Sequence, residues 1–180
     1  QVHALGIHWN FSPVLDLARD PRWPRFWETF GEDPYMVATM GRAIVDGYQN
    51  SGVPFAATLK HFFGYGFSLS GKDRTPAWIP ERQLREYFLP PFQAAIEAGA
   101  MSIMVNSGEI NGIPVHSNKA LLTDLLRDEL GFEGLLVTDW EDVKYLFTRH
   151  MIAHDYKEAT KMAIEAGIDM AMVPMDLEFT

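Results

Sequence analysis

Three times in this 180-residue chain an amphipathic helix pattern runs into a glycine and then into a short apolar strand: "EAGAMSIM" around Gly99, "ELGFEGLLV" around Gly131 and "EAGIDMAMV" around Gly167. A glycine past the last helical turn reads as a left-handed cap, and a short apolar run bounded by Gly or Pro reads as a buried parallel strand. The three strands cover residues 101–107, 135–140 and 168–174, and two more strand-like segments precede them at 6–17 and 55–62. Helix patterns fill the gaps at 34–50, 80–98, 118–129 and 157–166, and Pro90-Pro91 are expected to break or kink the second of these. The order is strand, helix, strand throughout, which predicts a parallel sheet wrapped by helices.

Two architectures fit that order, an open doubly wound sheet and a (β/α)8 barrel. No glycine-rich phosphate turn follows any strand, which argues against a nucleotide-binding open sheet. Between strand starts the first two units run about 45 residues and the last two about 33, against roughly 30 for barrel repeats. The expectation is therefore α/β, a (β/α)8 TIM-barrel-like domain of which about five βα units are present, with residues 1–180 forming part of one catalytic barrel. Three strands would still be needed for closure. The chain opens on Gln1 and runs straight into strand-like sequence, so an upstream piece is expected as well.

Composition narrows the chemistry. At 47% hydrophobic the chain can bury a core, and no run approaches the roughly 18 apolar residues of a membrane span. A net charge of −9 argues against a nucleic-acid partner. There is no cysteine and the six histidines are scattered, so no metal site is expected. No leader peptide is visible in the sequence.

In a barrel, functional groups gather where strands end and βα loops begin. Strand ends here deliver Asp16, Lys60-His61, Asn106-Ser107 with Glu109, Asp139, and a fifth group near Asp176. A single Asp after a strand is ordinarily a helix cap, and Lys60 with His61 is ordinarily a salt bridge beside a satisfied core histidine. Five strand ends converging on one rim favour a site. The first long loop carries Arg19, Arg22, Arg25, Glu28, Glu32 and Asp33, which read partly as internal ion pairs. Trp9, Trp23, Trp27, Trp78 and Trp140 include several near these ends. Indole faces beside Asp and Arg suit a sugar, although core packing is the plainer reading for Trp9 and Trp27.

Several long stretches, in order, carry a resemblance: "FSPVLDLARDPRWPRFWETFGEDP", "LKHFFGYG", "NGIPVHSNKALLTDLLRDELGFEGLLVTDW" and "AGIDMAMVP". The sequence resembles the N-terminal barrel of family 3 glycoside hydrolases, the β-glucosidase and exo-β-glucanase branch. That resemblance implies Asp139 as catalytic nucleophile, Arg25, Lys60 and His61 as ligands of sugar hydroxyls, and Trp140 as the platform flanking the next sugar. It implies retaining hydrolysis of terminal β-D-glucosyl residues, with a β-glucoside or β-gluco-oligosaccharide as substrate, no cofactor and no metal. It further implies a periplasmic or secreted location. The glycone-binding Asp is expected upstream and the general acid, a Glu, on a second domain, neither in this chain; both would come from the rest of the same enzyme or another chain. Pro24 stands where the family usually has Gly, and Ser107 where many relatives carry Tyr, so a tyrosine contact to the nucleophile is not expected. "GYGFSLSGKDRTPAW" lacks the histidine motif of the N-acetylglucosaminidase branch. Two rival readings stand beside this one: a non-catalytic carbohydrate-binding barrel fragment, and a lyase using Lys60 as a Schiff-base amine.

Overall fold

The computed structural model describes residues 2–173 and 175. Its strands are β1 (Thr58–Phe62), β2 (Ser102–Val105), β3 (Glu109–Ile110), β4 (Ile113–Pro114), β5 (Leu135–Trp140) and β6 (Met170–Met172). Four of them form one parallel sheet in the order β1-β2-β5-β6. Each strand lies beside the next major strand along the chain, with no point where the order reverses. That is the progression of a barrel wall rather than of a doubly wound sheet. The expected first strand lies along the free side of β1 but is not a regular strand. Its contacts are parallel and piecemeal: Thr58 donates to the Ser12 carbonyl, Lys60 to that of Pro13, and Leu15 to that of Lys60. Pro13 supplies no N–H, so a continuous ladder cannot form there. Gly99, Gly131 and Gly167 have φ of 88°, 68° and 112°, the left-handed caps read from the repeat. The expected strand end near Asp176 lies outside the described residues, as does Pro174.

Helix α1 (Pro34–Gln49) starts on Asp33, whose carboxylate accepts from the Tyr35 N–H, with Pro34 at the first position. The next helical run, 81–97, is not broken by Pro90-Pro91. It is built from α2 (Glu81–Gln83), a π-helical stretch Leu84–Phe88 and α3 (Leu89–Glu97). The π register, with Leu89 N–H donating to the Leu84 carbonyl, comes just before the prolines, so they fall in the first turn of α3 where a missing N–H costs little. The pattern at 118–129 winds as a π-helix, Ala120–Glu129. A short helix not expected from the sequence, α4 (Asp142–Thr148), follows β5 at once, and α5 (Tyr156–Ala166) is capped by Asp155 through the Glu158 N–H. Among the described residues no helix is long and apolar enough to cross a membrane.

The core runs between sheet and helices through Leu59, Phe62, Phe63, Phe92, Ile103, Leu122 and Leu136. Trp23 is buried with it, whereas Trp27, expected in the core, is 88% exposed. The backbone approaches closely where β5 begins. A Cβ on Gly134 would collide with the Met101 carbonyl oxygen and the Phe132 ring. Gly134→Ala is therefore expected to cost about 1–3 kcal/mol, because it pries β5 from β2. Chemical unfolding checks this; an unchanged midpoint would mean that the sheet yields there freely.

Two register slips distort the sheet near its strand ends. Leu59 pairs with Ile103 and Phe62 with Val105, so three steps along β1 match two along β2. Val137 pairs with Met170 and Trp140 with Met172, the same mismatch between β5 and β6. The residues inside the slips are Lys60-His61 and Thr138-Asp139. A bulge re-aims side chains that regular alternation would send to opposite faces.

Candidate active site

Asp139 sits in the second of these bulges with its side chain largely covered. Its Oδ1 accepts from the Trp140 N–H at 2.7 Å, and its Oδ2 accepts from the Ser107 hydroxyl at 3.1 Å. Three cationic or potentially cationic groups surround the same Oδ2: Arg74 at 3.5 Å, His61 Nε2 at 3.8 Å and Arg25 at 3.9 Å. Burial alone would raise this carboxyl. The His61 ring, the Trp140 N–H, Arg74 and Ser107 outweigh it and hold Asp139 below the usual carboxylate range. The group is thus an ionised carboxylate at neutral pH, fixed on a strand.

His61 comes from the bulge in β1. Its backbone N–H and its Nδ1 both meet Asp16 Oδ2, at 3.1 and 2.7 Å, and both side chains are buried. That pairing orients the ring. Its Nε2 is buried, has no hydrogen-bond partner among the described residues and faces Asp139. Lys60 is half-buried, and burial and the Arg25 charge hold its amine below the ordinary lysine value. Glu28 grips Arg25 through two hydrogen bonds of 2.9 Å, and the Tyr65 ring lies 5.7 Å from the guanidinium carbon. The Trp140 indole is 47% exposed.

A second layer of charge lies behind Asp139. Asp142, at the start of α4, accepts from Arg74 at 2.6 Å through Oδ1, and its Oδ2 faces His116 Nε2 at 3.6 Å. Burial pushes Asp142 up to about 7 against the pull of Arg74, and burial pushes His116 down to about 3, leaving a neutral ring. Farther along, His150 Nδ1 meets Glu109 at 2.6 Å.

The structure brings Arg25, His61 and Asp139 together as read from the sequence, with the Trp140 indole at the same strand end. Lys60 makes no ion pair within 4 Å among the described residues, yet it lies close enough to feel Asp139, Glu28 and Arg25. The first loop holds internal ion pairs as expected, with Arg22 on Asp20 and Arg25 on Glu28. Sequence reading missed Arg74, Asp142 and the Ser107 contact. Arg74 was visible as a cation in a long loop directly after Lys60-His61. Ser107 offers its hydroxyl to Asp139 where a tyrosine contact was not expected. Also missed was the hairpin β3–β4, although its Asn111-Gly112 turn, with φ of 53° and 84°, carries a strong hairpin signal.

Chemically, the arrangement offers one ionised carboxylate ringed by donors, beside an exposed indole. The neighbouring carboxylates are each committed: Asp16 to His61, Glu28 to Arg25, Asp142 to Arg74, Glu109 to His150. Among the described residues, no group of three or more His, Asp or Glu is arranged to hold a metal ion.

The family description "Glycosyl hydrolase family 3 N terminal domain" matches residues 1–178. The lysosomal β-glucosidase of Dictyostelium discoideum is 52% identical over 98% of this chain and 23% of its own length. A β-xylosidase of Formosa agariphila is 44% identical over 96% of this chain and 25% of its own length, and the periplasmic β-glucosidase of Salmonella typhimurium 36% over 93% and 22%. The solved β-glucosidase of Erythrobacter marinus superimposes with a TM-score of 0.89 at 41% identity, over 92% of this chain and 23% of that one. The chain thus spans about a quarter of the length of the relatives it matches. With nearly its whole length covered at such identity, and its sheet superimposing on theirs, the chain belongs to the family 3 glycoside hydrolases as an N-terminal barrel domain.

Proposed function

We propose that this chain supplies the nucleophile and much of the sugar-binding rim of a retaining β-glucosidase, with Asp139 attacking C1 of a terminal β-D-glucosyl residue. The observation that carries the reading is the Asp139 carboxylate itself: ionised, fixed on a bulged strand end, and, among the described residues, the one carboxylate of its cluster without a dedicated cationic partner. In the first step the Asp139–C1 bond forms as the C1–O bond to the aglycone breaks, and a carboxylic acid protonates the departing oxygen. In the second, water attacks C1 of the ester while that group takes the proton, and Asp139 leaves as carboxylate. We assign the acid to polypeptide outside residues 1–180, because among the described residues the carboxyls nearest Asp139 are each paired with a basic side chain. Asp142, though raised, is buried and paired with Arg74. The partner carboxyl is expected about 5–5.5 Å from Asp139 in the sugar complex. Glucose is the preferred sugar and xylose the runner-up, following the names of the relatives, and a secreted, periplasmic or lysosomal setting follows from the same names.

Arg25, Lys60 and His61 supply hydrogen-bond donors for sugar hydroxyls, and Trp140 the aromatic face. Loss of one charged donor to a buried hydroxyl costs about 1.5–3 kcal/mol, so Arg25→Ala and Lys60→Ala in the full-length protein are each expected to lower kcat/KM on an aryl β-glucoside about 10- to 100-fold. The first-formed sugar is expected to be the β anomer, read by NMR. An α product, or both variants within twofold of the parent, would overturn this assignment.

A further inference from the structure

We propose that Arg74, anchored by Asp142, is a positioning residue that holds the Asp139 carboxylate in its reactive orientation and charge state. This rests on the reading of Asp139 as nucleophile. Arg74 has three contacts at this point. One guanidinium nitrogen donates to Asp142 at 2.6 Å and reaches the Trp140 carbonyl at 3.4 Å, and another lies 3.5 Å from Asp139 Oδ2. The guanidinium carbon also stands 5.7 Å from the Tyr145 ring centroid. A planar fork reaches the two carboxylates through separate nitrogens held in fixed directions, which the single nitrogen of an ammonium does not provide. Arg25 does not duplicate this role, because Glu28 occupies its fork and it sits farther from Asp139.

The backbone around Arg74 is unusual in a way that favours such a role. Arg74 has φ of +56°, a conformation that L side chains seldom adopt and that persists only where the surroundings enforce it. The surroundings do so. The Asn111 side chain bonds both the N–H and the carbonyl of Ile79 at 2.8 Å, Ala77 N–H donates to the Glu109 carbonyl, and Thr75 Oγ1 donates to the Lys72 carbonyl. A Cβ on Gly108 would stand 3.1 Å from the Thr75 carbonyl, so the stretch carrying Ser107 and the one carrying Arg74 lie in contact. The β3–β4 hairpin therefore clamps the Arg74 loop against the strand end that presents Ser107 to Asp139.

Asp142 has a part in the cycle. When Asp139 becomes an ester its negative charge is consumed, and Arg74 would be left beside a neutral group. The charge on Asp139 is among the influences that push Asp142 up. Once it is gone Asp142 ionises more readily and keeps the guanidinium balanced. The other groups facing this pair are Asp73, 4.0 Å from Arg74, with Tyr65 and Tyr145, Arg25 and Glu28 from the first loop, Lys60 and His61 from β1, and His116 with His150 behind Asp142. Substitution of Arg74 alone leaves all of them in place.

The test uses the full-length protein. Arg74→Gln is expected to move the acid limb of the kcat/KM profile up by about one pH unit, because Asp139 loses a cation that favours its ionised form. It is also expected to lower kcat/KM roughly 10- to 100-fold. Arg74→Lys should return the acid limb to its parental position while the rate stays depressed. A 2-deoxy-2-fluoroglucoside should label Asp139 in both variants, more slowly than in the parent. An acid limb and rate unmoved in Arg74→Gln, with Asp139 still labelled, overturn the role of Arg74 and leave the nucleophile standing. A label on another carboxylate overturns both. Should Arg74→Gln fail to fold, Arg74→Lys decides: a parental acid limb with a depressed rate supports the proposal, and a parental rate or a displaced limb overturns it.

Discussion

Asp139→Ala in the full-length protein is expected to lower kcat on an aryl β-glucoside by about 10⁴-fold or more, the scale on which loss of a nucleophile is felt. Sugar binding should persist, since Arg25, Lys60, His61 and Trp140 remain. The size of the effect comes from how completely the surroundings are arranged for this one group. A hydroxyl, a backbone N–H and three basic side chains point at its two oxygens. Those groups hold the carboxylate ionised against burial, and their net positive field has no purpose once it is removed. Labelling with a 2-deoxy-2-fluoroglucoside followed by mass spectrometry is the direct check. Recovery of the label on Glu109 or Asp142 would sink the assignment, as would an Asp139→Ala protein retaining a tenth of parental turnover.

Much of this arrangement is legible in the residues. The three helix–Gly–strand repeats give the parallel order, because Gly99, Gly131 and Gly167 are needed where the chain turns left-handed. Lys60, His61 and Asp139 are polar residues at the ends of otherwise apolar strands, which a buried strand tolerates only when they have partners. What is not legible is the way they are aimed. His61 and Asp139 lie in bulges, and a one-residue mismatch between neighbouring strands leaves no mark on hydrophobic alternation. Pro90-Pro91 misled for a related reason: a π turn places them where a missing N–H does not matter, and nothing local announces that turn. Trp27 reads as core by type yet lies exposed beside the first loop. Arg74 is the clearest omission. Its importance comes from contacts 65 and 68 positions away in the chain, with Asp139 and Asp142. Pattern within a loop cannot convey a contact at that range.

The same logic makes His61 the second position at which a single change should be severe, and it separates two roles that one variant would confound. His61→Ala takes away the ring that bonds the buried Asp16 carboxyl, and leaving a buried polar group without its partner costs about 1–3 kcal/mol. A loss of that size in chemical unfolding is expected, together with a large fall in kcat/KM. Removing both partners, as Asp16→Ala/His61→Ala, leaves no stranded polar group. The double variant should therefore recover part of the lost stability, with a coupling of at least about 1 kcal/mol between the two sites. Activity should not recover with it. The His61 Nε2 is buried, without a hydrogen-bond partner among the described residues, and aimed at the space beside Asp139. A buried ring nitrogen left without a protein partner is placed to meet a ligand hydroxyl, which can either donate or accept. If stability and rate rise together in the double variant, His61 serves only to satisfy Asp16. If stability rises while kcat/KM stays at the level of the single variant, the ring acts on the sugar, and Asp16 is the group that aims it.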